Sequence, residues 1–373
     1  MASTSTPYAT KGRRVAIQLE STPGTPDVVG PSTYMVPATD FSYSIDRGTG
    51  VIERSAVLDG LPGGICYTPG SRGATLNLTT EIHDFTNPGA APDYYFSHLL
   101  LGCGFEAQDS VIGANTTTFF PSHEVISGAS TIPNLGSEGP QSLTVYHYYT
   151  DNPGSTPSGI TSYQNRFRGT TGNLELTLNS GEIATATTTM VGTLETDDWF
   201  DNADVLLPTS FDSSVSCKPY VVRSAFITLT DDVGGAGSQA EIVTLQDLSI
   251  SFNSTTPENQ DPTQTYGFGI SPVLFNTAPT ISFTIGATDQ NNGFAGFAGF
   301  LQQFRDGTKG SLTVTLNTGD NAANSLTITI DKLQYTGVTW GDANGYTTYQ
   351  IEAVAVRDPG DVTPSVRLDL IRA

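Results

Sequence analysis

Gly172-Asn-Leu-Glu-Leu-Thr-Leu-Asn-Ser-Gly-Glu182 and Gly310-Ser-Leu-Thr-Val-Thr-Leu-Asn-Thr-Gly-Asp320 are near copies of each other within one chain. Gly, Leu, Thr, Leu, Asn and Gly coincide position by position, and the other positions are mild or surface changes. Each stretch alternates apolar and polar residues and ends on Asn-x-Gly-acid, which predicts a strand running into a tight turn. Two more pairs recur in the same order. Asp40-Phe-Ser-Tyr-Ser-Ile45 resembles Asp247-Leu-Ser-Ile-Ser-Phe252, and Ala74-Thr-Leu-Asn-Leu-Thr79 resembles Pro279-Thr-Ile-Ser-Phe-Thr284. Ordered repeats predict a duplicated all-β unit. A unit present twice is a building block before it is a catalyst.

The composition agrees with strands. Charged residues are 14% of the 373, while Gly, Ser, Thr and Asn abound. Long helices draw on Glu, Lys and Ala, so turns and strands are favoured and a coiled coil is excluded. The chain is long enough for two domains with real cores. Its longest apolar run, near Leu99 to Leu101, is too short to span a bilayer. The opening Met1-Ala-Ser-Thr-Ser-Thr-Pro7 lacks an apolar core, and no signal peptide is expected.

Sixteen basic residues stand against 37 acidic ones, a formal net charge of −21. A protein that grips nucleic acid needs cations on phosphates, so that class is excluded. The acidity serves solubility, or builds a surface that faces DNA without holding it. Cys66, Cys103 and Cys217 form neither a disulfide framework nor a metal-binding pair, and His83, His98, His123 and His147 are equally dispersed. His98 and Cys103 share an expected helix end, but two ligands make no zinc site. There is no Gly-x-Ser-x-Gly elbow and no phosphate loop; Gly293 to Gly299 reads as a close-packed helix face. Asp289 with Asn291 and Asn292 lacks calcium-loop spacing. No enzyme, metal or cofactor is expected.

Along the chain, residues 1–14 read as a polar arm that orders on contact with a partner. A first β domain spans 15–196, with an insert of about 104–168. A linker covers 197–216, a second β domain 217–357, and a tail 358–373, where Val366 to Leu370 is expected as an edge strand. One short helix per domain is predicted. The first covers Pro92–Gly102, with Tyr95, Phe96, Leu99 and Leu100 as its apolar stripe. The second covers Asn292–Leu301, with Phe294, Phe297 and Phe300 along one side. Residues 46–72 and 253–275 are polar excursions carrying Gly and Pro, and belong off the sheet.

Four segments resemble bacteriophage tail tube proteins, also called major tail proteins. They are Ile17-Gln-Leu-Glu-Ser-Thr-Pro-Gly-Thr-Pro26; Pro92 to Phe105, ending Leu-Leu-x-Gly-Cys-Gly-Phe; Thr118-Phe-Phe-Pro121 followed by Gln141 to Tyr149; and Arg168-Gly169 with Gly172 to Glu182 and Ala184 to Gly192. Together they cover most of 15–195. The resemblance implies tandem β-sandwich or barrel domains whose sheets join into a ring, rings stacked into a tube, and DNA leaving through the bore without specific binding. It implies a virion protein assembled in the host cytoplasm, with the tape measure and tail tip or terminator proteins as partners and no membrane. Two domains per chain suggest a threefold, pseudo-sixfold ring; a hexamer decorated by the second domain is the other form. Candidate acids of the bore are Glu175, Glu182 and Asp320. Candidate ring-stacking residues are Arg47, Glu53, Arg54, Asp59, Glu258 and Asp261. Two other readings stay open: a capsid decoration or fibre protein, and a carbohydrate-binding β-sandwich, for which exposed Trp is the marker.

Overall fold

In the computed structural model the described residues are 13–25, 29, 33–46, 51–52, 68–69, 73–85, 94–109, 116–121, 141–150, 162–195, 215–222, 226–231, 240–242, 245–257, 273–275, 278–286, 301, 303–317, 325–343, 345–357 and 365–371. The fold is all-β. The first half comprises β1 (Arg13–Leu19), β2 (Tyr34–Val36), β3 (Ala38–Asp46), β4 (Val51–Ile52), β5 (Thr68–Pro69), β6 (Gly73–Glu81) and β7 (His83–Phe85). It continues with helix α1 (Tyr95–Gly102), β8 (Phe105–Asp109), β9 (Thr116–Pro121), β10 (Leu143–Thr150), β11 (Ser162–Asn179) and β12 (Thr185–Glu195). Then come β13 (Val215–Pro219), β14 (Phe226–Asp231), β15 (Ala240–Ile242), β16 (Leu245–Ser251), β17 (Ser254–Thr255), β18 (Leu274–Phe275) and β19 (Thr280–Gly286). The chain closes with β20 (Lys309–Asn317), β21 (Ser325–Ala343), β22 (Tyr346–Ala355) and β23 (Val366–Ile371).

Antiparallel pairing in the first half runs β3–β6–β12–β11–β10–β1–β2. β2 and β3 are one extended stretch broken at Pro37. Proline lacks the N–H a ladder needs, so the stretch changes partner there, from β1 to β6. One stretch therefore serves both ends of the run. In the second half the run is β16–β19–β22–β21–β20–β14–β15. β15 and β16 are again neighbours in sequence at opposite ends.

The two runs pass through the same order of connections. Asp40 pairs with Thr79, and Asp247 pairs with Thr284, so two of the repeated motifs occupy matching registers. The third motif does not. In this order β11 corresponds to β21, whereas 310–317 lies on β20, which takes the place of β10. β11 and β20 both lead into an antiparallel neighbour, so both carry the same alternation. Their likeness records a local hairpin rather than a shared position.

Two expectations need correction, and a third falls largely outside the described residues. Residues 215–222, expected to span the end of the linker and the start of the second domain, pack on the first half. Val215 pairs with Phe85, and the Tyr220 amide donates to the Ile82 carbonyl. β23 is no edge strand: β21 flanks it on one side and β9, from the insert, on the other. The expected helix at 292–301 lies largely outside the described residues; Leu301 and residues 303–306 are helical.

One apolar cluster runs through both halves, from Leu76, Leu99 and Leu176 to Ile250, Ile328 and Leu368. α1 is buried on almost every side, including Ser97 and His98. Its Tyr95 hydroxyl donates to the Glu81 carbonyl at 2.7 Å and accepts from the His83 amide at 2.8 Å. At its end Gly102 leaves room for Leu143, whose side chain lies 2.5 Å from where a Cβ would stand.

Candidate assembly surface

One sheet passes without a break through both halves. Its eight strands are β3–β6–β12–β11–β16–β19–β22–β21, each antiparallel to the next. Strand alternation sends Leu76, Leu176, Ile250, Ile281 and Ile351 into the core. The other face carries Thr, Ser, Asn and acids. Asp40, Glu175, Asp247 and Glu352 are exposed there. Hydroxyls and amides bridge neighbouring strands: Thr189 donates to Asn77 at 3.1 Å, and Ser249 donates to Glu175 at 2.9 Å.

The central part of this sheet holds no cation: β3, β6, β12, β16, β19, β22, residues 172–179 of β11 and residues 335–343 of β21 contain no Lys, Arg or His. Among the described residues, cations lie outside that central part: Arg166 and Arg168 on the first half of β11, Lys332 on β21 before Leu333, and Arg13, Lys309 and Arg367 on β1, β20 and β23. Acids without a cation beside them give that central part a negative potential.

The halves join within this sheet. Leu176 faces Ile250 and Leu178 faces Leu248 across β11 and β16, all of them buried. Among the described residues the sheet has two open ends. β3 pairs only with β6, and β21 beyond Gln334 pairs only with β22. Two of the large apolar side chains exposed on the described residues lie at these ends: Ile45 at 39% and Trp340 at 58%.

Of the acids expected for the bore, Glu175 lies on the cation-free central part of the sheet. Glu182 is exposed in the turn after β11, where it accepts from the Asn179 side chain at 2.8 Å. Asp320 lies outside the described residues. So do the stacking candidates Arg47, Glu53, Arg54, Asp59, Glu258 and Asp261, and residues 1–12 of the expected arm 1–14, whose Arg13 and Arg14 instead belong to β1 and pair with Tyr149 and Tyr148. Asp40, Asp247 and Glu352 were missed. The signal for them was present: strands free of Lys and Arg in both halves.

Also missed was Glu20, read only as part of a turn. Its buried carboxylate accepts from Thr144 Oγ1 and the Gly169 amide, both at 2.8 Å, and from Ser142 Oγ and the Gly24 amide. Four donors fasten the 20–25 turn to β10 and to the bulge of β11. His98 and Cys103 are packing residues. The His98 ring meets Tyr34 edge-on at 4.9 Å, and burial pushes the Cys103 thiol up to about 12, which keeps it protonated and unreactive.

Among the described residues no group of three or more His, Cys, Asp and Glu could hold a metal, and no helix is long and apolar enough to cross a membrane. No protein-family model matches the chain, and no curated protein sequence matches it.

Proposed function

We propose that this chain is a structural virion protein that assembles into stacked rings forming a phage tail tube, a conduit for DNA with a negative bore. The observation that carries the reading is the eight-stranded sheet whose central part carries acids and no cation. DNA sliding past such a wall meets repulsion on all sides and no site at which to stick. Screening acts over about 8 Å at physiological salt, so a few acids per copy set the potential inside a narrow bore. The resemblance of residues 15–195 to tail tube proteins supports the same reading, as do open sheet ends that another copy can cover. The protein acts by assembly, without a cofactor, in the virion. Its partners are further copies of itself, in a threefold pseudo-sixfold ring, with tape measure and tail terminator proteins at the ends of the tube.

Sedimentation velocity over a concentration series tests the assembly. The proposal expects species many times the 39.4 kDa chain, growing with concentration. A single monomer peak throughout would overturn it.

A further inference from the structure

We infer that residues 215–222 form a strap that opens and closes as one unit, locking the turn after β11 to the second half when it is closed. The strap is a property of the single chain and holds whether or not copies assemble. Consecutive amides of that turn are gripped by two segments of the second half. The Ser180 amide donates to the Gln246 carbonyl of β16 at 2.7 Å, and the Gly181 amide donates to the Val222 carbonyl at 3.2 Å. Only residues 223–225 separate Val222 from Phe226 at the start of β14, so their Cα atoms lie within about 14 Å of each other. Nineteen residues, 196–214, separate the strap from Glu195 at the end of β12. It is tied short to the second half and docks on the first.

The slot that receives the strap is held by groups of its own. The Ile82 amide donates to the Ala184 carbonyl at 2.9 Å, which joins the two walls. The Tyr95 hydroxyl of α1 bonds the Glu81 carbonyl and the His83 amide, on either side of Ile82. The strap completes the set. Tyr220 donates its amide to the Ile82 carbonyl at 2.9 Å and accepts from the Ala184 amide at 2.8 Å, so Ile82, Ala184 and Tyr220 bond in a closed cycle. Two residues on, the Val222 amide donates to the Glu182 carbonyl at 2.9 Å. Tyr220 and Val222 are buried in the main core, and the Tyr220 hydroxyl reaches the buried Asp84 carboxylate at 3.5 Å.

This hold is weaker than the sheet junction beside it. β11 and β16 share a continuous register from Glu175 to Asn179 and bury Leu176, Leu178, Leu248 and Ile250 between them. The pairing of β13 with β7 is interrupted between Val215 and Pro219, and Pro219 has no N–H to give. Segments with few main-chain bonds and little buried apolar surface open below the free energy of global unfolding. The strap therefore leaves as a unit while β11–β16 and the Ile82–Ala184 bond persist. Its short tie to β14 keeps it close to the slot and favours reclosure. Closure also masks the Ile82 carbonyl and the Ala184 amide, which an open slot would offer to any extended segment.

Hydrogen exchange on the full-length protein, resolved to single amides, tests the strap. The amides of Gly181, Ala184, Tyr220 and Val222 should exchange together, about tenfold or more faster than those of the β11–β16 junction. Ile82 should stay protected, because its acceptor lies within the slot. Tyr220→Ala should speed the same four by a further tenfold or so and leave the junction and Ile82 within about twofold. Ile183 and Val221 face each other across a non-hydrogen-bonded bridge, where Cα atoms approach to about 4.5 Å, within disulfide reach. Oxidised Ile183→Cys with Val221→Cys, the bond assigned by peptide mapping, should slow the four amides to the rate of the junction, and reduction should restore them. The staple decides the matter should Tyr220→Ala fail to fold. Four amides that exchange only at the junction rate in the wild type, or that keep their rate when stapled, would overturn the strap.

Discussion

Leu176 stands directly opposite Ile250 where the two halves meet, and both side chains are fully buried. The contact is part of a continuous sheet rather than of two domains on a tether. Leu176→Ala or Ile250→Ala should therefore lower the stability of the whole chain by about 2–5 kcal/mol. Denaturant unfolding should keep a single transition. A loss confined to one of two separable transitions would show that the halves fold independently.

Gly172 tests the packing of β11 on β12. A Cβ there would lie 2.4 Å from Met190 Cγ and 2.5 Å from the Thr189 carbonyl oxygen. Backbone cannot retreat cheaply, so Gly172→Ala should cost about 1–3 kcal/mol. Gly181→Ala is the contrast: nothing lies near its Cβ, but φ is +81°, and the cost should be about 1 kcal/mol from backbone conformation alone. Equal tolerance of both substitutions would contradict the close approach at Gly172.

His147 is buried against Phe41 and Tyr43, with ring centroids 4.7 and 5.8 Å away. Burial, helped by the Arg13 charge, lowers its pKa from 6.5 to about 4. The fold thus binds this proton less readily than the unfolded chain. Its contribution is complete above pH 6.5 and is lost as pH falls toward 4, by up to about 3 kcal/mol. His147→Gln should flatten this part of a stability-versus-pH curve. An unchanged acid slope in the variant would show that His147 is not the group responsible.

Asp369 on β23 accepts a 2.7 Å hydrogen bond from the Thr118 hydroxyl on β9. Burial raises its pKa despite that bond and the nearby Arg367. The sign is opposite to that of His147: the fold favours the protonated form, so this group adds stability as pH falls. Asp369→Asn keeps an acceptor for Thr118 and removes a buried charge. It should match or exceed wild-type stability at pH 7, by up to about 1 kcal/mol, while Asp369→Ala should lose about 1–3 kcal/mol. A large loss in the Asn variant would mean the charge itself is needed.

The cation-free central part of the sheet predicts negligible DNA retention in a filter-binding assay at physiological salt. Glu175→Lys with Glu352→Lys should create salt-dependent binding, because phosphate neutralisation releases counterions. Micromolar wild-type affinity at moderate salt would contradict the assigned face.

Much of the fold was legible from alternation and turns. The strands around Thr75 to Ile82 and Ser142 to Tyr149, and the helix stripe of Tyr95, Phe96, Leu99 and Leu100, are visible because periodicity reports burial locally. Position within the sheet was less legible. The likeness of 172–182 to 310–320 reflects alternation and turn chemistry, which recur wherever a strand enters a hairpin, so it pointed to the wrong counterpart. β23 looked like an edge because pairing with β9, some 250 residues earlier in the chain, leaves no local trace. Glu20 was hidden because its four donors are separated in sequence and meet only when β10 and β11 are in place. The acids of the polar face were recoverable from charge segregation alone, and Glu175 was recognised among them.

Negative-stain electron microscopy of the purified full-length protein at high concentration tests the assembly most directly. Hollow tubes of stacked rings with a stain-filled bore are the expected result. Monomers without a bore at every concentration, or knobs that bind only to capsids, would contradict it.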